Sequence, residues 1–309
     1  MALIAIALVI RNRMDSGGST SSSGKPRLVC APELESVCNK FRSDVDLTIE
    51  DPGKTASDLE NAGDSLGIDG WLVPGPWAEM VVEARARNQK APLLTPRPAL
   101  ARSQVGMAVW PDRLNAMTQF CKGAPSWKCI GDIAGKGDWA KAGGSADWGQ
   151  IKIGIPDPTK SATGLAALGA ATVGYFGRDP ATLSSTDLDD PGFRTWLGGL
   201  ANAQPDNTDL SEVLAIGPSA AAATATFEAV GTRLVAASAK KPTLTYPAPV
   251  ASADVVLGTA DTTAAKHLAE LVTSAGLIEA GWEAATNAPT GLPSAGFLDA
   301  LQDAWSSAK

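Results

Sequence analysis

The sequence predicts an α/β protein in two parts, the middle of the chain forming the second part and inserted into the first. Three observations predict it. Three strand–helix units follow one another between Arg27 and Ala86, a fourth stands apart at Ile151–Gly177, and two Pro-containing runs, 91–101 and Lys240–Pro242, read as crossings between the parts. Strand–helix units in succession imply right-handed crossovers and a parallel sheet.

Each element has a local reason. Arg27–Ala31 is a short apolar strand, and Glu33–Phe41 a helix with Leu34, Val37 and Phe41 on one face. Val45–Ile49 alternates apolar and polar residues, the period of a strand. The turn Asp51-Pro52-Gly53-Lys54 leads to Thr55, read as the cap of a short helix through Leu59. Ile68–Val73 is a third strand, and Pro74-Gly75-Pro76 turns the chain into the helix Trp77–Ala86. Beyond the first Pro-rich run come the strand Ser103–Trp110, the helix Asp112–Phe120, the loop Cys121–Cys129 and a short helix over Cys129–Lys136. Phe193–Asn202 carries an apolar stripe at helical spacing, Phe193, Trp196, Leu197 and Leu200. Helices are predicted at Thr208–Leu214, Phe227–Ala239, Thr262–Ser274, Leu277–Ala285 and Gly296–Trp305, with strands at Thr243–Tyr246 and Val255–Leu257. The run Ser219–Thr226, SAAAATAT, has no period and receives no assignment.

The most informative stretch is Ile151–Gly177, IKIGIPDPTKSATGLAALGAATVGYFG: a buried strand, a tight Pro-rich turn, then a helix. Lys160, Ser161 and Thr163 fall where that helix begins, so unpaired backbone N–H groups, two hydroxyls and an ammonium share one place. Such a terminus attracts carboxylates and other anions. Capping alone would also account for Ser161 and Thr163.

Composition narrows the function. The chain has 309 residues, 44% of them hydrophobic, and a net charge of -7 with no basic cluster, which argues against nucleic-acid binding. A single histidine, His267, in an apolar helix removes most metal and acid–base chemistry. No nucleophile elbow and no phosphate-binding glycine loop occurs. The expectation is therefore a binding protein with no catalytic residues, no metal and no cofactor. Nine tryptophans against two tyrosines leave room for some Trp in a ligand site, with the core as the plainer destination.

Residues 1–26 combine an apolar stretch, Ala2–Ile10, followed by Arg11 and Arg13, with a Ser/Gly-rich linker, Asp15–Lys25. They read as the remnant of a signal or membrane anchor and its tether, which implies an extracytoplasmic, tethered or secreted body. Four cysteines form two pairs of identical spacing, Cys30 with Cys38 and Cys121 with Cys129. In an exported chain an even count favours disulfides; buried thiols are the alternative.

Five segments together resemble bacterial extracellular solute-binding proteins of the type II periplasmic-binding-protein fold, including solute-binding domains that are sometimes fused to von Willebrand factor A domains. They are Val29–Leu34, Asp69–Pro74, Ala101–Val109, Pro156–Leu165 (PDPTKSATGL) and His267–Trp282. The resemblance implies two lobes, each a mostly parallel sheet flanked by helices: 27–102 with 243–309 as lobe 1 and 103–242 as lobe 2. It also implies a small solute in the cleft between them, hinge closure, a monomer, and delivery to an ABC-type transporter permease.

Ligands of open α/β sheets sit beyond the carboxyl ends of the strands. That rule nominates Glu33, with Ala31 and Pro32, from the first strand, Lys54 and Thr55 from the second, and Trp77, with Pro74, from the third. Ser103, with Arg102, comes from the crossing, and Lys160, Ser161 and Thr163 from the second lobe. The cations and helix termini suit an anionic solute; Glu33 suits a cationic or polyhydroxy one. A tethered interaction or sensor module on the same fold, with no transport role, is the alternative function.

Overall fold

The computed structural model describes residues 24–308; the anchor and most of the tether predicted for residues 1–26 lie outside them. The elements, in chain order, begin with β1 (Arg27–Cys30), α1 (Glu35–Cys38), β2 (Asp46–Ile49), α2 (Pro52–Asn61), β3 (Gly70–Pro74), α3 (Trp77–Arg87), β4 (Thr95–Pro96) and β5 (Ala101–Val109). The middle of the chain holds α4 (Pro111–Cys121), α5 (Trp127–Ala134), β6 (Ile153–Gly154), α6 (Ala162–Phe176), α7 (Pro191–Asn202), α8 (Leu210–Ile216), β7 (Ala223–Phe227), α9 (Glu228–Ala237) and β8 (Thr243–Thr245). The last part is β9 (Ser252–Thr259), α10 (Thr263–Leu271), α11 (Ser274–Glu279), β10 (Glu283–Ala284) and α12 (Ala295–Ser307).

The strands run in the order β2-β1-β3-β9-β5-β7-β6. β1 pairs in parallel with β2 and β3, and β6 in parallel with β7. β9 joins β3 antiparallel, because it returns from the inserted part of the chain. β5 is the shared element. Its residues Ala101–Gln104 pair with β9, and Val105–Val109 pair with β7, so one continuous strand belongs to both lobes. Five successive apolar or small residues, VGMAV, keep its second half buried as it enters the second lobe. The return path runs from β8, which pairs with Met107–Val109, through 246–251 to β9.

The cores follow from composition. β1 and β3 are apolar and buried, as a strand covered on both faces must be. α6 is buried on every side from Ala162 to Val173, because its Ala and Gly residues let neighbouring elements approach closely. The second half of the unassigned run, joined by Phe227 from the predicted helix, becomes β7, a fully buried strand. The predicted helix Glu33–Phe41 breaks into two 3-10 turns flanking α1, pinned at one end by Pro32. α2 begins before Thr55: Pro52 takes the first helical position after Asp51, and Thr55 lies inside the helix. Eight of the nine tryptophans are buried, and Trp148 is half-buried beneath the Arg113 guanidinium, 3.6 Å from its ring centre.

Both cysteine pairs are bonded, Cys30–Cys38 joining β1 to the end of α1 and Cys121–Cys129 joining α4 to α5. The second closes a loop with a sequence separation of 8. Chain-entropy arguments then give it about 2.5 kcal/mol of stability. The double variant Cys121→Ser, Cys129→Ser should lose that amount in urea titration, with the dependence on urea concentration little changed. A loss below about 0.5 kcal/mol would mean that the closed loop is equally restricted without the bond.

Candidate functional site

β1 and β2 run parallel, so their carboxyl ends open on one side, and the parallel pair β6 and β7 does the same in the second lobe. Between these ends lies a cleft of about 520 Å³. The first lobe contributes Pro32, Glu33, Glu35, Asp51 and Pro52. The second contributes the turn from Pro156 to Thr163, the stretch Asn207–Ser211 at the start of α8, Thr226, and Arg233 with its neighbours on α9.

The centre of the arrangement is the start of α6. Ser161 is its N-cap, with the hydroxyl accepting from the Gly164 N–H at 3.2 Å. The Ser161 hydroxyl donates to Glu33 Oε1 at 3.0 Å, and the Thr163 N–H donates to the same oxygen at 2.9 Å. A carboxylate from the first lobe therefore sits where the unpaired N–H groups and the positive end of the helix dipole favour an anion. Glu33 Oε2 is buried and has no hydrogen-bond partner. Gly164 makes the geometry accessible, since a Cβ there would stand 2.0 Å from the Pro156 carbonyl oxygen.

A second contact joins the lobes at the lip of the cleft. The Gly53 N–H donates to the Lys160 carbonyl at 3.2 Å, and a Cβ on Gly53 would lie 1.9 Å from the Thr159 carbonyl oxygen.

The structure brings Glu33, Ser161 and Thr163 together, with Pro32 beside them in the cleft lining, and places the other nominated residues elsewhere. Lys54 is exposed on α2, its ammonium 2.8 Å from both Glu50 Oε1 and Asp58 Oδ2. Hydrogen bonds to Asp58 and then Glu50 raise its pKa and hold it charged. Thr55 is buried and donates to Glu50 Oε2 at 2.9 Å. Trp77 is core, as Pro74 and Ala31 are buried strand-end residues. Ser103 is buried and accepts from the Ala229 N–H at 3.1 Å, capping α9 instead of a ligand. Arg102 pairs with Asp254 across β5 and β9 at 2.7 Å. Lys160 offers its backbone carbonyl to Gly53, and its exposed side chain does not line the cleft. No tryptophan lines it either.

Sequence reasoning missed Asp51, Asp157, Asp209 and Arg233, all of which line the cleft. Asp157 holds the turn, with Oδ1 accepting from the Thr159 N–H and hydroxyl at 3.1 and 2.9 Å. Asp209 caps α8, accepting from the Glu212 N–H at 3.1 Å. Their turn and cap positions were the available signals, and those read equally well as purely local roles. Glu33, Glu35, Asp51, Asp157 and Asp209 set five carboxylates in the lining against the one guanidinium of Arg233.

A second, smaller cavity of about 370 Å³ lies beside the crossing strands and includes Glu79, Arg97 and Asp254. Burial first, and then the charges of Asp254 and Glu83, push the Glu79 carboxyl above the ordinary range against the opposing effect of its own backbone N–H. Tyr246, at the start of the return crossing, donates to Glu228 at 2.7 Å. Burial and that bond raise its pKa, so it stays a phenol.

Comparison with known proteins identifies the class by fold. No family model matches the sequence, and no curated protein matches it. Solved structures do match. The periplasmic binding protein AfuA from Actinobacillus pleuropneumoniae, with exogenous fructose-6-phosphate bound, superposes with a TM-score of 0.57 at 12% identity, over 93% of this chain and 97% of that one. The periplasmic binding protein P5PA gives 0.56 at 15% identity, over 92% and 99%. The sulfate-binding protein SubI from Mycobacterium tuberculosis H37Rv gives 0.53 at 14% identity, over 85% and 88%. The chain has the two-lobed type II periplasmic-binding-protein fold.

Proposed function

We propose that this protein is an extracytoplasmic solute-binding protein that captures a small polar solute between its lobes and presents it to an ABC-type membrane transporter. The observation that carries the reading is the 520 Å³ cleft, built by both lobes at the carboxyl ends of β1, β2, β6 and β7. That is where open α/β sheets bind ligands. Support also comes from the neighbours: one is a sulfate-binding protein, one holds a sugar phosphate, and another is described as an ABC transporter from Clostridium perfringens.

We divide the lobes within β5, after Gln104, where its pairing passes from β9 to β7. We place Thr243–Thr245, which pair with Met107–Val109, in the second lobe and take 246–251 as the return crossing. The protein works as a monomer on this reading, tethered or secreted outside the cytoplasm, and two disulfides suit that compartment.

A thermal-shift screen of the full chain against sugars, amino acids, polyamines, peptides and oxyanions tests the proposal. A ligand at about 100 times its dissociation constant adds about 2.7 kcal/mol to the folded state. One chemical class should raise the melting temperature in a saturable way. Silence across the whole panel would favour the alternative, an interaction module, which the Glu33 contact inside the cleft also suits.

A further inference from the structure

We propose that Glu33 sets the charge of the ligand: its carboxylate holds the oxyanion position at the start of α6, so the cleft refuses sulfate-like solutes and takes one bearing a cationic nitrogen. The inference rests on the solute-binding reading above and goes on to name the ligand class.

The geometry supports each half. An oxyanion arriving at α6 would need the Ser161 hydroxyl and the Thr163 N–H, and both already donate to Glu33 Oε1. Displacing Glu33 would leave its charge close to the incoming anion, in a lining that already carries Glu35, Asp51, Asp157 and Asp209. Like charges in a partly enclosed site repel strongly. Conversely, Oε2 of the same carboxylate is buried and lacks a donor. A carboxylate oxygen without a partner is costly; Glu33 is half-buried in the cleft wall, and a small rotation of its carboxylate would offer that oxygen to an N–H-bearing cation, which supplies the missing donor and the opposite charge. Pro32, Pro156, Leu210, Val230 and Leu234 give the cleft apolar walls. Those walls suit the carbon skeleton of an organic amine.

Removing the carboxylate therefore has a sharp expected result. In Glu33→Ala the Ser161 hydroxyl and Thr163 N–H become free at a helix terminus, with Arg233 in the same lining. Isothermal titration of the full chain with sulfate and with spermidine or arginine reads the outcome. Wild type should bind a cationic probe and give no heat with sulfate. Glu33→Ala should bind sulfate at least about tenfold more tightly than wild type and lose a comparable factor for the cation. Glu33→Gln, which keeps the shape and an accepting oxygen, should lose the cation without gaining sulfate, and its melting temperature guards against misreading an unfolded Ala variant.

Sulfate binding by wild type, or a folded Glu33→Ala that gains no sulfate affinity while wild type binds a cation, would overturn the role of Glu33 and leave the receptor reading standing. No binding of either probe by any of the three proteins, after a silent wider screen, would overturn both.

Discussion

Arg85→Met should lower the stability of this protein by about 4 kcal/mol, and its melting temperature by roughly 10 °C. Arg85 is 2% exposed, yet no carboxylate pairs with it among the described residues. Its guanidinium instead closes the end of α2. Nε donates to the Ala91 carbonyl at 2.6 Å, Nη1 to those of Leu59 and Ala62 at 2.6 and 3.0 Å, and Nη2 to that of Gly63 at 3.0 Å. Two of these carbonyls follow the last residue of α2, where helices leave acceptors unpaired and where the dipole favours a cation. One side chain thus satisfies four acceptors and ties α3 to α2 and to the chain after it. Methionine fills the volume and satisfies none, so the cost is that of four lost charge-assisted bonds, one to a buried carbonyl and three to carbonyls nearer the surface. Lysine keeps the charge but has one nitrogen in place of a planar fork, and should recover less than half of the loss. Chemical denaturation of the three proteins measures both numbers; a loss below about 1 kcal/mol for methionine would show that water replaces the guanidinium.

Gly53→Ala should cost ligand affinity and spare the fold. On intrinsic grounds alanine stabilises a helical position by about 1 kcal/mol over glycine, and Gly53 lies in the first turn of α2. The obstacle is in the other lobe: the new Cβ would stand 1.9 Å from the Thr159 carbonyl oxygen, a backbone atom that no side-chain rotation can remove. Separation of the lobes relieves the clash. If the closed form falls to about 1% of the population, the apparent affinity drops about 100-fold. Small-angle scattering should show a larger radius of gyration, and titration with the solute found by screening should show the weakened binding. An unchanged affinity would mean that closure does not bring Gly53 and Thr159 together in solution.

Much of the fold was legible because its elements are locally consistent. β1, β3, α3 and α6 carry period, caps and turn residues that agree with their tertiary roles, and they fell within a few residues of prediction. β7 was not legible. Its alanines and threonines carry no apolar period, and only burial between β5 and β6 makes the segment a strand. The site was legible in part for a related reason. The start of α6 announces itself through Ser161, but whether Lys54 or Glu33 reaches it depends on contacts distant in sequence. Glu50 and Asp58, on either side of Lys54, retain it locally, whereas Glu33 crosses to the other lobe. Strand-end position alone therefore nominated Thr55, Trp77 and Ser103, whose side chains are committed to their own lobe or to the crossing.

The last helix has a practical consequence for watching this protein work. α12 packs against α3 of the first lobe and against α6 and α7 of the second, with Arg87 paired to Asp299 on one side and Gln302 donating to the Pro158 carbonyl on the other. Any change in the angle between the lobes must slide that helix against at least one of its neighbours. All four cysteines are already bonded, so a single thiol introduced on the exposed side of α12 would be unique. A dye placed there would ride on the joint itself and turn cleft closure into an optical signal, whatever the identity of the solute.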